Sequence, residues 1–236
     1  HGTWREGWAL AQAAYLDGKI PPGYAEVSAA DLKRLGLSPS DLDDAKSGFA
    51  AKVLVDREGH FVISYRGTEG LLNAKDVGAD LTGASYLSSQ TEKAVYLAKV
   101  LRDAAGADNV RAVGHSLGGR LAAVAAVGAG IHSETFNAAG VSNAELTYAM
   151  VLRGDDPGLL GYAASGLAVG PVADVRHEAA VSGLIVNHVT TTDPLTAVQE
   201  FVKVNDVLDP VPNAMGAMHP HLSLRPFDHS FEGVLF

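Results

Sequence analysis

Ser116 sits in the run Val113-Gly114-His115-Ser116-Leu117-Gly118-Gly119, which contains the pattern G-x-S-x-G. That spacing fits a sharp turn between a strand and a helix, with the serine hydroxyl held out at the edge of a sheet. The chemistry it suits is nucleophilic attack on an acyl carbon. A serine hydroxyl attacks poorly near neutral pH unless a base lies within hydrogen-bond reach and a third group orients that base. Charge that builds on the attacked carbonyl oxygen also needs donors, each worth roughly 2.7–4 kcal/mol. The backbone N–H of Leu117, the residue after the serine, is the expected first donor.

The chain offers nine histidines as bases. His1 is terminal, His60 lies in a turn, and His115 points away from the nucleophile. His132, His177 and His188 precede the expected last strand. His219, His221 and His229 follow in the C-terminal region, and His229 is favoured because it comes after the candidate last strand at 221–224, with His221 as the alternative. His219-Pro220-His221 lacks a third ligand at a recognised spacing, so no metal is expected. For the orienting acid, Asp193-Pro194 and Asp209-Pro210 compete, with Asp206 a third option. Counting strands favours Asp193: after the strand at 135–137 one more strand must carry the acid, and Leu184–Val189 is the next. The structural alternative for either residue is a helix start, where Asp before Pro is common.

These groups need elements to hold them. Asn109–Val113 reads as a short buried strand entering the serine turn, and Leu121–Val127 as a buried helix leaving it. Trp8, Ala11, Tyr15 and Leu16 recur at helical spacing in an N-terminal helix over Trp4–Leu16. Short helices are expected at Asp31–Leu35 and Ser40–Lys46. Phe49, Ala51, Val53 and Val55 alternate, Arg57-Glu58-Gly59-His60 turns, and Phe61, Ile63 and Tyr65 alternate back, which is a hairpin. Ser89-Gln90-Thr91-Glu92 has the form of a capping box opening a helix that Gly106 closes. Gly158–Val172, charge-free and rich in glycine, reads as irregular or short helical structure, Leu195–Val204 as helix, and the region near Phe231 as a short terminal helix.

Strands alternating with helices imply an α/β fold: a mainly parallel central sheet with helices on both faces and an antiparallel hairpin at 49–66 near the N-terminus. Ligands of such sheets bind beyond the carboxyl ends of the strands. Ser116, Thr68 and Asp193 each fall just after an expected strand, so they should converge there. One domain over 1–236 is expected, with 1–48 an N-terminal helical segment and 141–181 a candidate lid or cap insertion. Leu71-Leu72, Tyr86-Leu87 and the charge-free stretch Leu159–Val172 are candidate lids or acyl-contact surfaces, with ordinary core packing as the alternative.

Composition narrows the partners. An apolar content of 47% over 236 residues supports a full core. A formal charge of −9 argues against nucleic acid and against an electrostatic grip on anionic membranes. It leaves room for an enzyme that meets lipid through apolar surface. With no cysteine, disulfides and thiolate chemistry are excluded. No apolar run approaches the ~20 residues that span a bilayer. The chain begins at His1 rather than Met and lacks a signal-peptide pattern, which suggests a processed form or an excised domain.

Tyr65-Arg66-Gly67-Thr68, Ala79-Asp80-Leu81 and Gly114-His115-Ser116-Leu117-Gly118-Gly119 together resemble the class 3 lipase family, over about residues 50–140. The resemblance implies the α/β-hydrolase fold and action on carboxylic esters, with no cofactor. It implies Thr68 as the second oxyanion donor, from the family's R-G-[ST] loop, and it matches a His-Ser pair before a short terminal helix to His229. Asp209-Pro210-Val211-Pro212 resembles the D-x-V-P around the acid of fungal members, so the choice between Asp193 and Asp209 stays open. Serine, aspartate, histidine is also the chain order of α/β-hydrolases. One departure is that Phe136-Asn137-Ala138-Ala139-Gly140 stands where the family often has F-G-x-P-R.

The expectation is thus a serine ester hydrolase of the lipase or phospholipase A type. Ser116 attacks, His229 carries the proton, Asp193 orients the imidazole, and Leu117 and Thr68 bind the oxyanion. The substrate would be a lipid or phospholipid ester at a membrane surface, and a secreted or exported effector is the favoured setting. The alternatives are a hydrolase-like binding module without turnover and an acyltransferase on the same residues.

Overall fold

A computed structural model describes residues 4–15, 17–67, 84–154, 171–190, 193, 215–221 and 230–231. Among the described residues, helices α1 (Trp4–Gln12), α2 (Ala29–Arg34), α3 (Ala84–Ala105), α4 (Leu117–Ala129), α5 (Asn143–Arg153) and α6 (Pro171–Ser182) accompany eight strands. These are β1 (Tyr24–Glu26), β2 (Asp43–Asp44), β3 (Phe49–Asp56), β4 (Phe61–Arg66), β5 (Val110–His115), β6 (His132–Phe136), β7 (Ile185–Thr190) and β8 (Ala217–His221). They form one sheet in the order β1-β3-β4-β5-β6-β7-β8, with β2 paired to β3. β4 through β8 run parallel, and β1, β2 and β4 pair antiparallel with β3. The expected α/β sheet with its N-terminal hairpin is therefore what the chain forms.

Alternation along the strands divides the side chains between two faces. Phe49, Ala51 and Val53 of β3, Ile63 and Tyr65 of β4, and Ala112 of β5 pack with Ala94, Leu97 and Ala98 of α3 and with Leu121, Ala122 and Ala125 of α4. Val124 and Val127 of α4 continue this layer to Leu146 and Met150 of α5 and Ile185 of β7. On the opposite face Leu54, Val62, Val113 and Phe136 meet Leu10 and Ala11 of α1, and Phe231 closes the cluster. All thirteen residues of α4 are buried.

Two local expectations are corrected. The helix thought to open at Ser89-Gln90-Thr91-Glu92 begins at Ala84, so that stretch lies inside α3. Gln90 and Thr91 are buried, and Gln90 donates from Nε2 to the Ser47 carbonyl. They are thus polar core residues in place of a cap. Ser40–Lys46 is a 3₁₀ turn over Pro39–Asp41 followed by β2. The segment offered as a candidate lid or cap insertion contains two regular helices, α5 and α6, and the first opens with a capping box between Ser142 and Glu145. The last described strand is 217–221, and it carries Pro220, which an edge position tolerates; residues 222–224 of the strand expected at 221–224 lie outside the described residues. Tyr86 and Leu87 fall within α3. Leu16, Leu71-Leu72, residues 159–170 and 195–204 lie outside the described residues.

Candidate active site

β5 delivers the chain to Ser116 and α4 takes it away. Ser116 has φ 57° and ψ −121°, outside the regions that L-residues ordinarily occupy. Only one other described non-glycine residue, Asn137 at φ 41°, has positive φ. Such backbone costs of order 1–3 kcal/mol and persists only where its surroundings over-determine it. Here they do. The Ser116 N–H donates to the Phe136 carbonyl at 3.1 Å, and its own carbonyl accepts from Ala139 N–H at 3.0 Å and Arg120 N–H at 3.2 Å. Ser116 occupies the N-cap of α4, where serine usually bonds back to its helix. Its side chain makes no such bond, and the residue is only half-buried.

The turn can form because α4 comes very close to β4. A Cβ at Gly118 would overlap the Tyr65 carbonyl oxygen, and one at Gly67 would lie 3.4 Å from Leu117 N. The start of the loop after β4 thus runs beside the first N–H of α4. The first four N–H groups of a helix have no intrahelical acceptor, and the helix dipole is positive there. That is the environment an oxyanion requires. Thr68 itself, the expected second donor, lies outside the described residues.

Asp193 follows β7 by three residues, is 1% exposed, and donates its N–H to the Thr190 carbonyl at 3.1 Å. A buried carboxylate stays charged only where partners compensate it. Asp206, Asp209 and His229 lie outside the described residues. His221 Nε2 is 2.8 Å from His188 Nδ1, and His188 Nε2 is 2.8 Å from Glu134 Oε1. Burial and the neighbouring His188, His219 and Arg5 hold the His221 pKa below the ordinary imidazole value. His115 faces α1, with Trp8 edge-on at 5.1 Å.

The chain belongs to the Tle-like phospholipase family. That family's model, described as a Tle-like phospholipase domain, matches residues 7–219. Extracellular phospholipase A1 of Serratia liquefaciens is 37% identical over 149 residues, which is 63% of this chain and 44% of that protein. The matched region is thus less than half the length of that relative.

Two features of this Tle-like phospholipase domain were not read from the sequence as part of the site. Arg120, one turn beyond Ser116 and 1% exposed, pairs with Glu145 of α5 at 3.0 Å and donates to Gln90 Oε1 of α3 at 3.2 Å. A lone arginine before the apolar run 121–127 was its only signal. Asn137 was noted only as a departure from F-G-x-P-R. Its positive φ gives the reason, since Asn and Gly are the residues that best tolerate that backbone. Among the described residues, Asp56, Glu58 and His60 bring three ligand-type atoms together. The hairpin accounts for them: Asp56 Oδ1 accepts the N–H groups of Glu58 and His60, and Oδ2 meets His60 Nδ1 at 2.9 Å. No helix among the described residues is long and apolar enough to cross a membrane.

Proposed function

We propose that the chain is a serine carboxylic-ester hydrolase acting on phospholipid esters, with Ser116 as nucleophile, His229 as base, Asp193 as orienting acid, and the Leu117 and Thr68 N–H groups as oxyanion donors. The observation that carries the reading is the strained, half-buried Ser116 between β5 and α4, with its side chain unused as a cap. The family and the name of the Serratia relative supply the substrate class. Ser116 Oγ adds to the ester carbonyl carbon as its proton passes to His229. The oxyanion rests on the two N–H groups, and collapse expels the alcohol, which takes the proton back. Water then repeats the sequence on the acyl-enzyme and releases the fatty acid.

Support for His229 comes from chain connectivity. Phe231 packs 5.1 Å from Phe136, whose carbonyl accepts the Ser116 N–H. Two residues of chain span at most about 7 Å. Asp193 is preferred over Asp209 because β7 is the strand directly beside β6, and Asp193 is buried just beyond it. Action outside the producing cell belongs to the same reading, on the relative's printed description.

The test is fatty-acid release from phosphatidylcholine vesicles and from a chromogenic ester by wild type and Ser116→Ala. A loss of roughly 10⁴-fold or more is expected in the variant at unchanged fold. Equal and negligible rates in both proteins would point to a binding module and sink the reading. Transfer of acyl groups to an added alcohol in preference to water would reassign the chain as an acyltransferase.

A further inference from the structure

The turn that carries Ser116 and the turn that carries Asp193 are joined through one side chain. Asn137 follows β6 directly and is fully buried. Its N–H donates to the His188 carbonyl at 2.8 Å, the last backbone bond from this end of β6 to β7. There the side-chain amide takes over. Asn137 Oδ1 accepts the Thr190 N–H at 2.8 Å, and Nδ2 donates to Thr190 Oγ1 at 3.2 Å. The amide orientation is fixed, because a backbone N–H can only donate and so must face Oδ1. On one side, the residues flanking Asn137 bracket the nucleophile: Phe136 O accepts from Ser116 N–H and Ala139 N–H donates to Ser116 O. On the other, Thr190 O accepts the Asp193 N–H. Hydrogen bonds joined by single residues of chain therefore connect the serine turn through Asn137 and Thr190 to the aspartate turn.

We propose that Asn137 is a positioning residue for ester hydrolysis: its amide clamps Thr190 and so sets the distance between the nucleophile turn and the acid turn. The proposal rests on the assignment of Ser116 and Asp193 above. It explains why the residue is asparagine and not only something that tolerates positive φ. Glycine would allow the backbone but supplies no amide. Alanine would supply neither. Aspartate would keep the acceptor toward Thr190 N–H but lose the donor toward Oγ1.

The decisive variants are Asn137→Gly, Thr190→Val, Asp193→Asn and the double variant Asn137→Gly/Asp193→Asn, assayed on a soluble chromogenic ester across pH. Asn137→Gly is expected to lower kcat by about 10- to 100-fold at nearly unchanged KM, as a displacement near 1 Å does. The acidic limb of kcat/KM should move to lower pH, because an imidazolium further from its carboxylate is less stabilised. A purely structural asparagine would lower stability without moving that limb. In the Asp193→Asn background the glycine substitution should cost less than about twofold more, since residues that act as a unit are not additive. Thr190→Val, which keeps the Asn137 backbone, should shift the same limb by less, and it decides the question if Asn137→Gly does not fold. A wild-type limb in both Asn137→Gly and Thr190→Val, or full multiplication of the two losses in the double variant, overturns the proposal. An active Asp193→Asn single variant overturns the acid assignment instead, so the two failures are told apart.

Discussion

On the α4 face of the sheet the helix itself contributes mostly small and aliphatic residues, and three helices lie close together: Ala122, Ala125 and Leu121 of α4 against Ile63, Tyr65 and Ala112, with α3 and α5 on its flanks. The Phe49 and Tyr65 rings and the Arg120–Glu145 pair are accommodated around it. On the α1 face the contacts are aromatic and charged. Trp8 lies against His115, Phe136 and Phe231, and Phe136 stacks on His188 at 4.9 Å. Beneath them Arg111 reaches Glu6 at 3.1 Å and Glu134 at 3.8 Å, and the Tyr24 hydroxyl donates to Glu6 at 2.7 Å. The contrast teaches what each face does for the site. Small residues let the backbone of α4 approach β4, which is how Leu117 N comes beside Gly67. The rings stacked on α1 fix orientation instead, and through Phe231 they hold the residues just after position 229. The α4 face should therefore be sensitive to added atoms, and the α1 face to removed rings and to pH.

The largest effect is expected on the α1 face. Phe136→Ala removes a fully buried ring that contacts Trp8, His188 and Phe231, and should cost about 3–5 kcal/mol in denaturant unfolding. A loss under about 1 kcal/mol would mean that this face contributes little to stability and would break the comparison. Next comes Gly118→Ala on the other face, which adds only one carbon but drives it into the Tyr65 carbonyl. About 1–3 kcal/mol of stability should go, together with a larger fall in ester turnover than the folded fraction explains. If turnover and stability fall in step, close backbone approach is not what positions the turn.

The smallest effect sharpens the contrast through pH. His221 has its pKa lowered in the folded protein by burial and by His188, His219 and Arg5. The unfolded chain, with an ordinary histidine near 6.5, then binds the proton more readily. Stability from this group is complete above the ordinary histidine pKa and is lost as pH falls below it. Thermal melts between pH 7.5 and 5 should show this decline, and His221→Gln should flatten it. An unchanged slope would place the acid sensitivity in other groups.

The serine turn was legible in the sequence because it is local. Gly114, Ser116 and Gly118 are separated by single residues, and the strand before and the helix after them announce themselves by composition. The hairpin was legible for the same reason. The helix boundary at 84 was not, because Ser89-Gln90-Thr91-Glu92 has the form of a cap, and only packing reveals that Gln90 and Thr91 are buried partners inside a longer helix. The helices at 143–153 and 171–182 were missed among glycine-rich neighbours, although Ser142 and Glu145 form a capping box.

Composition and short-range pattern by themselves determined a parallel α/β sheet, its N-terminal hairpin, and the sharp G-x-S-x-G turn at the end of β5. Backbone preference and hydrophobic alternation act over a few residues, so they can be read in order along the chain. Only the tertiary structure decided that Asn137 would meet Thr190 53 residues later, that His188 would lie between Glu134 and His221, and that Arg120 would pair with Glu145 under α4. Those contacts depend on which strands become neighbours and on burial that makes each polar group need a partner, and neither is written in the spacing of nearby residues.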